Sequence, residues 1–230
     1  MTALARRLLA VDTTSEFGSI AISEGSRVIE EVAIESPEGF GHVLFDEIVR
    51  LLARHGLSLQ DLDGFAAASG PGSFTGVRVG LTAVKGLAEA NGKKVAAVSN
   101  LQAQASFGSA TLRATLIDAR RGEIYGAVYD AALEIAQDEV VMPLEAWIDS
   151  LPVGDVELIT CGYAVPQWTG RKVEAPRALA GAIAKVGAQQ FEQGRAQEPA
   201  MIDANYVRRS DAELLWRDPA TLPTPKASRS

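Results

Sequence analysis

The chain has 230 residues, of which 47% are hydrophobic and 22% are charged, so it has enough apolar material for a substantial core. Its net charge of −7 disfavours an extended nucleic-acid-binding face, and a single cysteine, Cys161, excludes an internal disulfide. The apolar run Leu8–Val11 is too short for a membrane span and ends at Asp12. We therefore expect a cytoplasmic protein that does not enter a membrane.

The first half of the chain predicts seven elements in the order β-β-β-α-β-α-β. Alternating or wholly apolar residues predict strands over RLLAVDTTS, SIAISEG, RVIEEVAIES and LDGFAAASG. Helical periodicity predicts one helix over GHVLFDEIVRLLARHGL and another that follows a glycine-rich loop and ends near Asn91. The segment KKVAAVS predicts the last strand of this half.

The second half repeats this order of elements without repeating the sequence. A helix near LQAQASFG precedes three strands within TLRATLIDARRGEIYGAVYDAALEIAQDEVV, a helix over LEAWIDSL, a strand over VELITCG and a helix over ALAGAIAKVGAQQFEQG. We therefore expect an α/β protein with an N-terminal lobe, 1–98, and a C-terminal lobe, 99–216. The Pro- and Ser-rich end, 217–230, has no apolar periodicity and predicts a disordered tail.

The glycine-rich loop SGPGSFTGVRVG, at 69–80, leads directly into the second helix. The spacing Gly70-x-Gly72-x-x-x-Gly76 does not match the dinucleotide-binding fingerprint, and the loop lacks the lysine of a P-loop. Ser73 or Thr75 can cap the helix that follows. The pattern therefore favours a tight turn with close packing, and phosphate binding is the weaker alternative.

Both helices of the first half are apolar over more of their circumference than one sheet can cover. In the second helix a single narrow stripe is polar, formed by Arg78, Thr82, Lys85 and Glu89. A stripe of small residues would let another helix approach the backbone closely; it consists of Gly76, Gly80 and Ala83. The pattern predicts an exposed apolar patch that binds a partner, although some of this surface must pack within the lobe.

The histidines and serines do not form a recognisable metal or peptidase motif. The only two histidines, His42 and His55, are thirteen residues apart and do not share a helix face. Neither a His-x-x-x-His pair nor a G-x-S-x-G nucleophile elbow occurs in the sequence. A metal site would have to be built almost wholly from carboxylates.

Two turns that begin with aspartate leave a nucleotide site as an alternative. Asp12 and Thr13 follow the first strand, and Asp118 follows the first strand of the second half. Facing each other across a cleft, such turns could hold a metal–phosphate group; otherwise both are ordinary hairpins with polar ends. Because Arg120 and Arg121 stand where glycines would supply backbone amides, the hairpin interpretation is favoured and no cofactor is predicted.

Four segments resemble the TsaB (YeaZ-like) family: LLAVDTTSEFGSIAI, GPGSFTGVRVGLTAVKGLA, IDARRGEIYGAVYD and NYVRRSDAE. Together they cover most of residues 8–213. The family supplies a subunit of the bacterial machinery that makes threonylcarbamoyladenosine in tRNA. The resemblance implies the actin/Hsp70/sugar-kinase fold, with two lobes of mixed sheets flanked by helices. The sequence departs from the family at Gly39, Phe40 and Gly41, where polar residues are usual.

The resemblance also implies a role and partners. Such a subunit is a degenerate paralogue of the catalytic TsaD, pairs with it through the two N-terminal-lobe helices, and is joined by the ATPase TsaE. It self-associates when alone and meets tRNA only through the complex. We expect a non-catalytic scaffold whose partner interface consists of His42, Phe45, Val49, Gly76, Val79, Gly80 and Ala83. On this interpretation, Gly80→Arg abolishes pairing and leaves the lobe folded.

Three further points stay open on the sequence alone. An ATP-dependent phosphotransferase of the same fold would use Asp12 and Asp118 around Mg²⁺, and a peptidase is a weaker alternative. Tyr206, Arg208 and Arg209 either contact tRNA held by the full complex or tie down the last segment of the chain.

Overall fold

The computed structural model of the chain describes residues 5–207. These residues form two five-stranded sheets, each flanked by helices, which confirms the two-lobed α/β architecture predicted from the sequence. The predicted tail at 217–230 lies outside the described residues, as do Arg208 and Arg209.

The first sheet is built from the N-terminal part of the chain. Its strands are β1 Arg7–Asp12, β2 Phe17–Glu24, β3 Arg27–Glu35, β4 Gly64–Gly70 and β5 Val95–Ser99. The strand order is β3-β2-β1-β4-β5; β1 to β3 are antiparallel, whereas β4 runs parallel to both β1 and β5. The interior strand β4 is buried along its whole length, as expected of a strand covered on both faces.

The second sheet has the same arrangement. Its strands are β6 Leu112–Arg120, β7 Glu123–Asp130, β8 Ile135–Pro143, β9 Val156–Thr160 and β10 Arg171–Glu174. The strand order is β10-β9-β6-β7-β8, with three antiparallel strands and then two parallel ones. The architectural duplication that the element order predicted is therefore present in the sheets as well.

Within residues 5–207, five α-helices cover the two sheets: α1 Leu44–Arg54, α2 Phe74–Asn91, α3 Asn100–Ala105, α4 Leu144–Asp149 and α5 Ala180–Glu192. Successive side chains of β1 point to opposite faces of the first sheet. Leu9 and Val11 pack in the core under α1 and α2, whereas Leu8 and Ala10 pack in the core under α5. In the second sheet, the buried Trp147 of α4 packs on one face and Leu101 of α3 on the other.

Side chains of the first sheet hold the start of α5. The backbone amides of Leu179 and Ala180 donate to Oγ of the buried Ser19, at 3.1 and 2.9 Å. The Gly181 amide donates to Oε1 of Glu31 at 2.9 Å. These bonds satisfy amides that a helix leaves unpaired in its first turn, and they attach α5 to β2 and β3.

The structure differs from the predicted elements in three places. Strand β10 was not predicted, because RKVE is short and has a single partly buried residue, Val173. The first helix begins at Leu44, and Phe40–His42 forms a separate 3₁₀ turn. Helix α5 covers the first sheet although it lies in the C-terminal part of the chain, so the division at residues 98 and 99 stays a prediction.

Between residues 5 and 207, no helix is both long enough and apolar enough to cross a membrane.

Candidate functional site

The glycine-rich loop joins β4 to α2 and holds the end of β1. The Ser73 hydroxyl accepts a hydrogen bond from the Gly76 amide at 3.3 Å, which confirms the predicted helix cap. The Ser73 amide donates to the carbonyl oxygen of Thr14 at 2.6 Å. The Thr13 hydroxyl donates to the carbonyl oxygen of Gly76 at 2.7 Å. The first turn of α2 is thus bonded directly to residues 13 and 14.

Two glycines of α2 are required by this close approach. A Cβ at Gly76 would overlap the carbonyl oxygen of Thr13, and one at Gly80 would lie 2.5 Å from Thr13 Oγ1. Both glycines are buried. The expectation that Gly76 and Gly80 contact a partner helix is therefore wrong, because the chain's own Thr13 fills the space above them. For the same reason, we expect Gly80→Arg to destabilise the lobe.

A different stripe of α2 faces solvent. Between α1 and α2 lies an open groove of about 750 Å³, here called the α1–α2 groove. Its lining is mostly apolar and consists of Gly41, Leu44, Phe45, Phe74, Thr75, Arg78, Val79, Thr82, Ala83, Gly86 and Leu87. No atom outside its own helix turn lies within 4 Å of a Cβ built at Gly86. Gly86 is therefore the glycine of α2 that leaves open space in the groove.

Helix α1 contributes large apolar side chains beside this groove. Phe45 is 50% exposed and Val49, one turn further along the helix, is 63% exposed. Their neighbours Leu44 and Ile48 are each 1% exposed and pack on the sheet. One face of α1 thus forms core, while the adjacent face presents apolar surface to solvent.

The predicted interface residues therefore divide into three groups. Phe45, Val79 and Ala83 line the α1–α2 groove, and Val49 lies exposed beside it. His42 is exposed in the 3₁₀ turn before α1 and does not line the groove. Gly76 and Gly80 are occupied within the lobe. The seven-residue spacing of Val79 and Gly86 was a signal that the predicted interface did not use. The lining residues that the predicted interface did not include are Gly41, Leu44, Phe74, Thr75, Arg78, Thr82, Gly86 and Leu87.

A second cavity, of about 610 Å³, lies between the two sheets and is here called the interlobe cleft. Asp12 and Asp118 both line it, so the two aspartate turns do open onto one cleft. Thr13 does not line it, because its side chain is bonded beneath α2. The Asp118 carboxylate accepts a bond from the Arg120 amide at 2.7 Å, and Arg120 has a left-handed backbone with φ of 64°.

The carboxyl group of Asp12 is enclosed by hydrogen-bond donors. Its Oδ1 accepts from the Thr14 amide at 2.9 Å, from the Thr14 hydroxyl at 2.6 Å and from Asn100 Nδ2 at 3.5 Å. Burial raises the pKa of Asp12 above its ordinary value of 3.8, and the bonds from Thr14 and Asn100 partly oppose that rise. These donors attach Asp12 to the neighbouring strand ends, since Asn100 Oδ1 also accepts from the Gly70 amide at 3.1 Å.

The other candidate groups in the cleft are poorly suited to metal or nucleophilic chemistry. Within residues 5–207, no three His, Cys, Asp or Glu side chains are grouped so that they could hold a metal ion. Cys161 lines the cleft, but burial and then the charge of Glu174 raise the pKa of its thiol, which disfavours the reactive thiolate.

Comparison with known proteins connects this geometry to a family. Residues 41–186 match the family described as TsaD: tRNA N6-adenosine threonylcarbamoyltransferase. The chain belongs to this family. The matched segment contains α1, α2 and the whole groove between them.

Individual relatives confirm the TsaB (YeaZ-like) membership predicted from the motifs. The chain is 29% identical to the tRNA threonylcarbamoyladenosine biosynthesis protein TsaB of Bacillus subtilis over 223 residues, which cover 91% of this chain and 97% of that protein. It is 35% identical to the Escherichia coli TsaB over 127 residues, which span about half of each protein, 54% in both cases.

A solved structure confirms the fold. YeaZ from Pseudomonas aeruginosa is similar with a TM-score of 0.76 and 27% sequence identity, covering 87% of this chain and 99% of that one. The two mixed sheets with their flanking helices thus have the actin/Hsp70/sugar-kinase type of α/β fold that the resemblance implied.

Proposed function

We propose that this chain is a non-catalytic subunit in the biosynthesis of threonylcarbamoyladenosine in tRNA, and that it binds a TsaD-like catalytic paralogue through the α1–α2 groove. The names of the relatives and of the matched family support the pathway. The observation that carries the docking role is the groove itself, because it is apolar, open and bordered by the exposed side chains of Phe45 and Val49.

A paralogue with the same family segment would carry equivalents of α1 and α2. Two such helix pairs can pack face to face, each filling the groove of the other, in a pseudo-symmetric helical bundle. Gly86 and Ala83 keep the floor of this groove low, so that helix axes can approach closely. A stable interface of this kind buries on the order of 1,500–2,000 Å² in total and is mostly apolar.

The geometry of the interlobe cleft supports a non-catalytic role. Asp12 is buried and bonded by Thr14 and Asn100, so its carboxyl group acts as a structural acceptor. Thr13 is used to bind α2 to β1. The turn after Asp118 carries two arginines with left-handed backbones, at positions where a phosphate-binding turn would use glycine amides.

On this proposal the scaffold holds the paralogue in its active conformation, a TsaE-like ATPase joins the pair, and tRNA binds only to the complex. The same groove mediates self-association when the paralogue is absent.

A reconstitution tests this function. The chain is combined with its TsaD-like and TsaE-like partners, the adenylate synthase, ATP, threonine, bicarbonate and unmodified tRNA, and the modified nucleoside is quantified. We expect formation of the nucleoside to require the chain and to fall at least tenfold with Phe45→Asp. The matched control is Phe107→Asp, which changes another exposed phenylalanine, 37% exposed, outside the groove. Equal modification without the chain, or equal loss in both variants, would contradict the proposal.

A second candidate function rests on the interlobe cleft, since Asp12 and Asp118 open onto it together. An ATP-dependent phosphotransferase would bind ATP–Mg²⁺ there in the isolated chain. Calorimetric titration of ATP–Mg²⁺ into the wild type and into Asp12→Asn, together with the reconstitution described above, distinguishes the two functions. Tight binding that is lost in the variant favours the phosphotransferase, whereas modification activity that is retained in Asp12→Asn favours the scaffold.

A further inference from the structure

The last described segment runs alongside α2. Residues 201–207 form this segment, here called the C-terminal strap. Lys85 Nζ donates to the carbonyl oxygen of Ile202 at 2.9 Å, and Arg78 Nε donates to the Tyr206 hydroxyl at 3.0 Å. Arg78 and Lys85 are seven residues apart and therefore lie on one side of the helix. The strap thus forms a ridge beside α2.

Bonds to both sheets hold the strap in place. The backbone amide of Asn205 donates to the carbonyl oxygen of Ser69 in β4 at 2.8 Å, and its side chain donates to Oε2 of Glu139 in β8 at 2.6 Å. Ile202 is 2% exposed and belongs to the core under α1 and α2. Side chains that point outwards from the strap are therefore presented from a fixed backbone, which lowers the entropy lost when they bind a partner.

Exposed apolar side chains gather on this side of the molecule. Of the eight most exposed large hydrophobic residues among 5–207, five lie on α1, α2 or the strap. They are Phe45, Val49, Phe74, Met201 and Tyr206. Tyr206 packs on Phe74 of the groove, with ring centroids 5.6 Å apart, so apolar surface continues from the groove onto the strap, where Met201 is 72% exposed and Tyr206 is 46% exposed.

The large exposed side chains of the two helices supply only part of a standard interface. A fully exposed aromatic side chain presents about 150–250 Å², so the half-exposed Phe45 and Phe74 contribute roughly 100 Å² each. A partner in a standard interface buries about 800 Å². Adding Met201 and Tyr206 increases the number of large exposed apolar side chains from three to five and extends the face onto the strap.

Arg78 stands between the groove and the strap in a fixed orientation. Its guanidinium lies 3.7 Å from the centroid of the Phe74 ring, and the Phe74 and Tyr206 rings are 5.6 Å apart. With Nε bonded to Tyr206, its two Nη groups have no hydrogen-bond partner among the residues that the structure describes. A stacked guanidinium with two free donors is well placed to bind a carboxylate.

We propose that the partner-binding face extends from the α1–α2 groove onto the C-terminal strap, where Met201 and Tyr206 pack against the partner and Arg78 donates to a carboxylate of that partner. The identity of the partner as a TsaD-like paralogue rests on the function proposed above. The strap is then a third binding element, and the Phe74–Arg78–Tyr206 stack fixes the position of the charge before the partner arrives.

Binding affinity of the full chain for the paralogue tests this inference, with titration calorimetry or surface plasmon resonance as the measurement. Met201→Glu is expected to weaken binding at least tenfold. Its matched control is Val153→Glu, which places the same charge at a fully exposed hydrophobic position in the loop between α4 and β9, outside the proposed face. This control should leave affinity unchanged. Arg78→Met is expected to weaken binding about tenfold and to reduce the dependence of affinity on salt, because it removes one ion pair.

Tyr206→Phe separates orientation of Arg78 from packing. The ring stays stacked on Phe74, while the hydroxyl that positions Arg78 is lost, and we expect a three- to tenfold weaker complex with an unchanged urea midpoint of unfolding. If Phe45→Asp abolishes binding while Met201→Glu, Arg78→Met and Tyr206→Phe all retain wild-type affinity, the strap is not part of the face. If the wild type does not bind the paralogue at all, the proposed function fails, and this inference fails with it.

Discussion

Helix α2 carries glycines on two faces, one buried within the lobe and the other open to solvent. Gly76 and Gly80 are buried because the end of β1 lies directly against them, with Thr13 bonded to the helix backbone. Gly86 has open space where a side chain would be and lies in the floor of the α1–α2 groove. A missing side chain therefore serves close packing inside the lobe on one face and access from outside on the other.

The comparison explains the glycines of this helix without invoking phosphate binding. Each glycine in a helix interior costs roughly 0.5–1 kcal/mol relative to alanine. For Gly76 and Gly80 the cost is offset by hydrogen bonds and packing within the same chain. For Gly86 no packing contact within residues 5–207 offsets it, as expected if this position contacts the partner proposed above.

The largest expected effect is on the buried face. Gly76→Ala places a methyl group into the carbonyl oxygen of Thr13, a backbone atom that cannot rotate away. We expect the free energy of unfolding, measured in urea, to fall by about 3 kcal/mol or more, at the upper end of the range for overpacking. A loss below about 1 kcal/mol would show that β1 and α2 can separate easily at this point.

The next effect is on the open face and concerns binding instead of folding. Gly86→Arg fills the groove floor with a long charged side chain, so we expect affinity for the TsaD-like paralogue to fall about thirtyfold, or about 2 kcal/mol. The lobe itself should stay folded because arginine favours a helix. The control, Gly86→Ala, should raise the free energy of unfolding by about 0.5–1 kcal/mol. Loss of folding in Gly86→Arg would contradict the assignment of this face as open.

A smaller, pH-dependent effect is expected at Asp12, next to Thr13 on the buried face. Burial raises the pKa of this carboxyl group above 3.8, so the folded protein holds the proton to higher pH than the unfolded chain does. As pH rises from 3.8 through the raised pKa, the folded state therefore loses stability relative to the unfolded state. Asp12→Asn does not titrate, and its stability relative to wild type should increase from pH 4 to pH 7.

Urea unfolding of both proteins across that pH range measures the difference. Exposed carboxylates with the opposite behaviour, such as Glu24 beside Arg7 and Glu30 beside Arg54, have lowered pKa values but are present in both proteins and cancel. A constant difference between the two proteins would indicate that Asp12 is ionised without penalty in the fold. That result would favour the nucleotide interpretation of the cleft.

Much of the fold could be predicted because its elements have strong local signals. The apolar β1 strand, the amphipathic α1 and the hairpin turn at Arg121 and Gly122 are local features, and local signals in the sequence located each of them to within a few residues. Strand β10 could not be predicted, since it exists only by pairing with β9 at the edge of the sheet. The position of α5 could not be predicted either, because which sheet a helix covers depends on contacts far apart in sequence.

The α1–α2 groove was predicted in outline but not in its details. Periodicity identified α1 and α2 as helices with surplus apolar surface, and it placed Phe45 and Val79 on that surface. It could not tell which glycines face solvent, because Gly76, Gly80 and Gly86 all stand at helical spacings. That distinction depends on the path of Thr13, which lies more than sixty residues earlier in the chain.

The placement of α5 has a consequence for how the protein is made. The first sheet is complete once Ser99 has been synthesised, but one of its faces, including Leu8 and Ala10, stays uncovered until residues 180–192 leave the ribosome. The Ser19 hydroxyl also gains its hydrogen bonds only then, because it accepts them from the backbone amides at the start of α5. A nascent chain halted near residue 98 therefore exposes an apolar sheet face, and folding of the N-terminal half is completed only late in translation.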